Sequence, residues 1–254
     1  MIGSVPKDGR HARGHSTRVK ILYAAERLFA EHGIASVSLK DISVATNQKN
    51  NGVIQYHFKD RANLIRQIVN FRAKETEEIR EGLLKKVALS KGRLEVRDYV
   101  SAFVYSLASA LDDQNYFIRL LARLLFEWGD GPYASVPEST IKLLKSEMLA
   151  LMPHMSEGVL EQRWQIMTST TVQVLANCQT AHRRNKLTAP LDELLHDLVS
   201  FLTAGLLAPI EPLAKSPKAR PARVRASKVH IGVDDASSGC TNKPSDLKSG
   251  RSKI

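Results

Sequence analysis

Apolar residues return every third or fourth position through most of this 254-residue chain, the spacing that lays a stripe along one side of a helix. Ile21, Ala25, Leu28 and Phe29 form the first stripe; Val96, Val100, Phe103, Val104, Leu107 and Leu111 form another. Leu160, Trp164, Met167, Thr171, Leu175 and Cys178 follow, then Leu191, Leu195, Leu198, Leu202 and Leu206. Residues 116–128 are apolar nearly all round and read as a central, buried helix. No stretch alternates as a strand does and no repeat is evident, so the fold class is expected to be all-α.

Cap and turn residues divide the stripes. Ser16 or Thr17 is placed to cap the first helix, and Gly33 to end it in the left-handed conformation. Ser38-Leu39-Lys40-Asp41 reads as a capping box for a second helix, with Leu39, Ile42 and Ala45 on its apolar face. Residues 47–50 read as a turn, and a third short helix is expected over about 51–57. Asp60 is placed to cap a fourth, with Leu64, Ile68 and Phe71 in its first half. Gly129-Asp130-Gly131-Pro132 reads as a turn; Pro137 opens and Pro153 closes a helix carrying Ile141, Leu144, Met148 and Leu151. Residues 157–184 read as one long helix, and Pro190, with Asp192 and Glu193, opens the last, which stops before Pro209.

The formal net charge of +11 favours a polyanionic partner. Residues 209–254 hold five prolines, no aromatic, and ten Lys or Arg against four Asp or Glu. Some +6 of the charge therefore lies in a tail whose composition predicts disorder. Residues 1–15, with Lys7, Arg10 and Arg13, read as a disordered basic arm. The two cysteines, Cys178 and Cys240, define no disulfide framework and suit a reducing compartment. The N-terminus lacks the apolar centre of a secretory signal, and no apolar run reaches the ~18 residues of a membrane span. A soluble cytoplasmic protein is expected.

Asn50 to Arg61, "NNGVIQYHFKDR", is too polar for core and too aromatic for a plain loop. Three short helices with a compact turn between the second and third suit a helix-turn-helix, whose third helix enters the major groove. Amides are useful there because Asn and Gln both donate to and accept from base edges. Gly52 lets the backbone approach the duplex, and Tyr56 and His57 can bond phosphate oxygens. Lys59 and Arg61 add charge near the start of the fourth helix, where its dipole already favours an anion. Phe58 is expected to point inward and clamp the third helix to the first and fourth.

"TRVKILYAAERLFAEHGIASVSLKDIS" followed by "NNGVIQYHFKDRANLI" resembles the N-terminal domain of the TetR (tetracycline-repressor) family of transcription regulators. The shared features are an "IL-x-AA-x-x-LF-A-x-x-G" first helix, a Ser opening the second, and a "YHF" box followed by a basic residue and Leu64. The match spans roughly residues 16–65. The stretch from Ile42 to Phe58 is one residue longer than the commonest pattern, and Gln55 stands where tyrosine is frequent.

The resemblance implies a helix-turn-helix domain over 16–61 and a helical effector-binding and dimerisation domain over 62–208. It implies DNA contacts from Thr17, Ser38, Lys40, Lys49, Asn50, Asn51, Gly52, Gln55, Tyr56, His57, Lys59 and Arg61. It implies a homodimer on a palindromic operator, joined through the last two helices with Leu175, Cys178, Leu195, Leu198 and Leu202 at the interface. Tyr99, Phe103, Tyr105, Trp128, Trp164, Thr168 and Thr171 are candidates for the effector pocket.

Other readings are weaker. Cys178 and His182, and the Glu193-x-x-His196 pair, have metal-ligand spacing, but neither gathers a further ligand, so no metal or cofactor is expected. No Gly-x-Ser-x-Gly elbow, phosphate loop or dinucleotide fingerprint occurs, so no enzyme is expected. A helical-bundle carrier or enzyme with an incidental helix-turn-helix is the alternative.

Overall fold

The computed structural model describes residues 8–48, 52–128 and 138–210, with the backbone alone over 8–14, 128 and 138–142. The regular structure among the described residues is helical: α1 (Asp8–His32), α2 (Leu39–Ala45), α3 (Gly52–Phe58), α4 (Arg61–Lys91), α5 (Val96–Ala108), α6 (Phe117–Trp128), α7 (Glu138–Leu151), α8 (Glu157–Arg183) and α9 (Leu191–Leu207). The described residues up to Pro209 form one compact unit. The expected tail, the turn at 129–132 and the side chain of Ile141 lie outside the described residues.

Boundaries form where local chemistry satisfies the exposed backbone groups of helix ends. Gly33, at φ +88°, turns the chain out of α1 while its N–H still donates to Phe29 O at 3.0 Å. Ser38 and Asp41 bond reciprocally: Ser38 N–H donates to Asp41 Oδ2 at 2.8 Å and Asp41 N–H to Ser38 Oγ at 3.2 Å. The Ser38 hydroxyl, which also donates to Asp41 Oδ2, and then the Ser38 N–H hold the Asp41 carboxyl below its usual pKa. Asp60 Oδ1 accepts from Asn63 N–H at 2.7 Å and starts α4. That helix is 31 residues long, about 46 Å, and ends at Gly92, at φ +78°.

Two elements differ from the sequence reading. The first helix starts at Asp8, not at Ser16 or Thr17, so residues 8–15 are helical where an irregular arm was expected. Adding turns to an existing helix requires no new nucleus, and Arg10, Ala12 and Arg13 are good helix formers. The helix at 117–128 is one-sided instead of buried all round. Phe117, Ile118, Leu120, Leu121 and Leu124 face the core, whereas Phe126 is 88% exposed and Arg123 is also exposed. Arg123, Phe126 and Glu127 make its outer face.

In the packing, α1 lies against α2, α4 and α6; α4 against α5; α5 against α9; and α8 against both α6 and α9. One cluster of buried apolar side chains runs from Ile21 to Leu206. Within it sits Glu26, 2% exposed. Its carboxylate receives Arg72 Nε at 2.7 Å and Nη2 at 2.9 Å, and also the N–H of Tyr116 at 3.1 Å. The third edge of Arg72, Nη1, donates to Glu75 at 2.9 Å. Burial alone would lower the Arg72 pKa; Glu26 and Glu75 together outweigh it and hold the guanidinium above its ordinary value.

Removing one partner of such a pair strands the other. Glu26→Ala is expected to destabilise the protein by about 3–5 kcal/mol, and Glu26→Leu combined with Arg72→Met by much less. Urea unfolding of both variants checks this; a double variant less stable than the single one contradicts it.

Candidate nucleic-acid interface

After the second helix the chain turns back on itself. Gln48 N–H donates to Ser43 O at 2.9 Å, Ser43 Oγ donates to Gln48 O at 3.1 Å, and Asn47 takes a left-handed φ of 53°. Ile54 and Phe58, one turn apart on α3, are fully buried. The Arg18 guanidinium lies 5.8 Å from the centre of the Phe58 ring while bonding Gln67 of α4 at 2.6 Å. Thus α1 and α4 grip one side of α3, as expected for Phe58. The other side carries Gln55, exposed, and Tyr56, 85% exposed. A tyrosine left in water next to two fully buried residues leaves much apolar area uncovered. The Tyr56 and His57 rings meet edge to face with centres 5.3 Å apart.

The remaining expected contacts divide. Lys40 and Lys59 are exposed, His57, Gly52 and Thr17 half-buried. Lys59 ends α3 at φ 63°, a strained conformation for a side chain other than Gly or Asn, with its N–H on Gln55 O at 2.9 Å. Ser38 is half-buried, and its hydroxyl donates to Asp41 Oδ2 at 2.7 Å within the cap. Arg61 is also occupied: it donates to Ile34 O at 3.2 Å. Lys49, Asn50 and Asn51 lie outside the described residues.

The turn between α1 and α2 contains a contact that no periodicity announces. Glu127, on α6, accepts from Ile34 N–H at 3.0 Å, while Arg61, on α4, bonds the carbonyl of the same residue. Both backbone groups of Ile34 are thereby taken by helices distant in sequence. Glu127 Oε1 also lies 3.2 Å from where a Cβ on Gly33 would stand. These residues line an open cleft of about 540 Å³ with His32, Ser36 and Arg123. The only sequence signal was Gly33, which read as a helix stop and is a close approach as well.

Of the expected pocket residues, Tyr99, Phe103, Trp164, Thr168 and Thr171 are buried and Tyr105 is half-buried. Phe103 and Trp164 meet with ring centres 5.6 Å apart. Tyr105 stands about 200° round the helix from Phe103, and the Trp128 side chain is outside the described residues. Thr168 and Thr171 donate to Trp164 O and Met167 O, at 3.0 and 2.7 Å, so both hydroxyls are satisfied by their own helix. Burial and a hydrogen bond with Glu147 push the Tyr99 pKa up to about 12.

The expected interface residues Leu175, Cys178, Leu195, Leu198 and Leu202 are buried inside the protomer. Packing of α8 and α9 on each other and on α5 and α6 turns those stripes inward. Burial also raises the Cys178 thiol pKa. The large apolar side chains left exposed on α8 and α9 are Ile166, Phe201 and Leu207. Among the described residues no three His, Cys, Asp or Glu side chains gather as a metal site would need. Nor is any of their helices long and apolar enough to cross a membrane.

A short helix with one face outward and the other packed on two longer helices, ahead of a larger helical domain, defines a helix-turn-helix DNA-binding transcriptional regulator. Residues 21–68 match the family model described as bacterial regulatory proteins, tetR family, and residues 97–205 match the tetracyclin repressor-like C-terminal domain. The chain belongs to the TetR family. No curated protein matched in sequence.

Solved structures agree in fold. The fatty acid degradation regulator FadR from Bacillus halodurans is 16% identical, with a TM-score of 0.53 over 81% of this chain and 99% of its own. NalD of Pseudomonas aeruginosa, secondary repressor of the MexAB-OprM multidrug efflux pump, is 18% identical, with a TM-score of 0.50 over 76% and 97%. A TetR family regulator from Marinobacter aquaeolei VT8 is 13% identical, with a TM-score of 0.50 over 77% and 97%.

Gly33→Ala is expected to cost about 1–2 kcal/mol from the left-handed backbone alone. The added methyl also presses on Glu127, so the loss should shrink, without vanishing, in a Glu127→Ala background. Thermal unfolding of the four proteins in this cycle checks it; an unchanged loss would remove Glu127 from contact with the turn.

Proposed function

We propose that the chain is an effector-responsive repressor acting as a homodimer on a palindromic operator in double-stranded DNA. The observation that carries the reading is the face of α3: Gln55 and Tyr56 stand in water while Ile54 and Phe58 anchor the opposite side. In this reading Gln55 offers donor and acceptor to a base edge, and Tyr56, His57, Lys59 and Lys40 meet phosphates. Arg61 serves instead to steady the turn at Ile34. Residues 16–61 form the DNA-binding domain and 62–208 the effector and dimerisation domain, with α4 belonging to the second from its first turn.

The dimer joins the outer faces of α8 and α9, where Ile166, Phe201 and Leu207 are the apolar anchors. Two α3 helices then read successive major grooves about 34 Å apart. A small apolar or amphipathic effector binds near Phe103 and Trp164. It releases DNA only by binding the non-DNA state more tightly, and a shift from almost all bound to almost all free takes about 5.5 kcal/mol. NalD is described as a repressor, which supports repression over activation. The protein works in the cytoplasm and catalyses no reaction. A carrier or enzyme would have no use for an amide and a phenol held outward on α3; titration against the protein's own upstream DNA separates the readings, since a carrier binds weakly and without regard to sequence.

Gln55→Ala is expected to relax base preference at one operator position per half-site, at about 1–3 kcal/mol. Binding to a panel of single-base operator variants measures it, and equal weakening on every sequence would rule out base reading. Lys59→Asn keeps the left-handed turn and removes the cation, so it should weaken binding uniformly and reduce the slope of log K against log salt by about 1. A salt slope equal to that of the natural protein would take Lys59 out of the phosphate contacts.

A further inference from the structure

The fourth helix carries two buried arginines that are treated differently. Arg72 bonds two glutamates through Nε, Nη1 and Nη2. Arg80 is as deeply buried, 6% exposed, yet it donates only through Nη1, to Glu77 at 2.9 Å. Its Nε is buried with no hydrogen-bond partner. A guanidinium has five N–H donors, and leaving one dry and unpaired is costly. The plane lies 5.4 Å from the centre of the Phe103 ring, and that ring meets Trp164 at 5.6 Å. The hydroxyls of Thr76, Thr168 and Thr171 donate to carbonyls of their own helices, and none of them accepts from this nitrogen. Burial pulls the Arg80 pKa below its ordinary value, with Glu77 and Glu81 only partly opposing it. The site thus has one unspent cationic donor edge against an aromatic pair.

We propose that Arg80 is the anchor for a carboxylate on the effector, which is therefore an amphipathic monoanion whose apolar body lies against Phe103 and Trp164. The proposal rests on the reading above that the effector binds near Phe103 and Trp164. A carboxylate meets the side edge of a guanidinium with two parallel bonds, one of them to Nε. A neutral molecule of the same shape leaves that donor dry, and a cation is repelled. Phe103 and Trp164 are nearly fully buried, so a ligand must part them. Doing so moves α5 or α8 against the helix whose first turn holds Ile34.

The test uses the full chain carrying Trp128→Phe, which leaves Trp164 as the sole tryptophan. Dodecanoate and 1-dodecanol, each below its micellar concentration, are titrated while Trp164 emission is followed. Dodecanoate is expected to bind at least about tenfold more tightly than the alcohol. Arg80→Met should abolish that preference, leave dodecanol binding as it was, and leave the ligand-free Tm unchanged or raised. A structural arginine would instead lose Tm and keep the preference. Arg80→Lys, which keeps the charge and loses the two-bond edge, should retain only part of the preference, and it serves if the methionine variant does not fold. Equal affinity for acid and alcohol in the Trp128→Phe protein with Arg80 intact overturns the role of Arg80 while leaving an apolar pocket standing. No response to either compound overturns the pocket reading and this proposal together.

Discussion

A lone carboxylate inside an apolar stripe would cost more than the margin by which most domains are stable. Glu26 is such a carboxylate, and the structure around it exists to satisfy it. Its two oxygens hold the α4 guanidinium of Arg72 and the amide that opens α6, while the acid itself rides on α1. Three helices with no neighbouring residues in sequence therefore meet on one group. Apolar packing would tolerate small slides of α1 along α4; paired hydrogen bonds of 2.7 and 2.9 Å do not. The Tyr23 ring, 4.8 Å under the same guanidinium, adds a further restraint from α1.

With α1 held in register on α4, the position of α3 follows. Ile54 and Phe58 fill the space the two long helices leave, and the left-handed turn at Lys59 directs the chain into the Asp60 cap. Asn63 then returns a bond to Phe58 O at 2.9 Å, tying the end of α3 to the first turn of α4. The face of α3 that carries Gln55 and Tyr56 gains its rigidity from these contacts behind it, none of which touches the solvent side. Contacts of this kind fix the distance and angle at which that face is presented.

Local signals were legible in the sequence because each is solved within a few residues. Gly33, the Ser38–Asp41 box and the Asp60 cap all stand where their chemistry placed them. So does the inward Phe58 beside the outward Gln55 and Tyr56. What periodicity cannot state is which surface covers a stripe. Leu175, Leu195, Leu198 and Leu202 formed a plausible face for a second copy, yet α5, α6 and the α8–α9 contact consume it. The outer side of α6 was hidden for the opposite reason, since its most exposed large side chain, Phe126, is itself apolar. Charged groups in the core were the hardest to see: Glu26, Arg72 and Arg80 sit among helix-forming polar residues and differ from solvated ones only through partners 46 or more residues away, or through an aromatic ring on another helix.

Those arginines give α4 a character that its apolar positions do not. Arg61 holds the carbonyl of Ile34 beside the reading domain, Arg72 holds Glu26, and Arg80 lies on Phe103. The first and last are separated by about 28 Å of helix. A helix of this length bends gently but does not compress, so a displacement of α4 at Phe103 reaches Ile34 as a tilt about the fixed point at Glu26. Because Glu127 secures the other side of Ile34 from α6, a tilt of α4 alone must strain or break one of the two bonds on that residue. Movement is free of that cost only when α4 and α6 travel together, and Glu26 already joins them through Tyr116. The polar contacts therefore tie α4 and α6 together at both Glu26 and Ile34, so that a displacement of one helix is carried to the other.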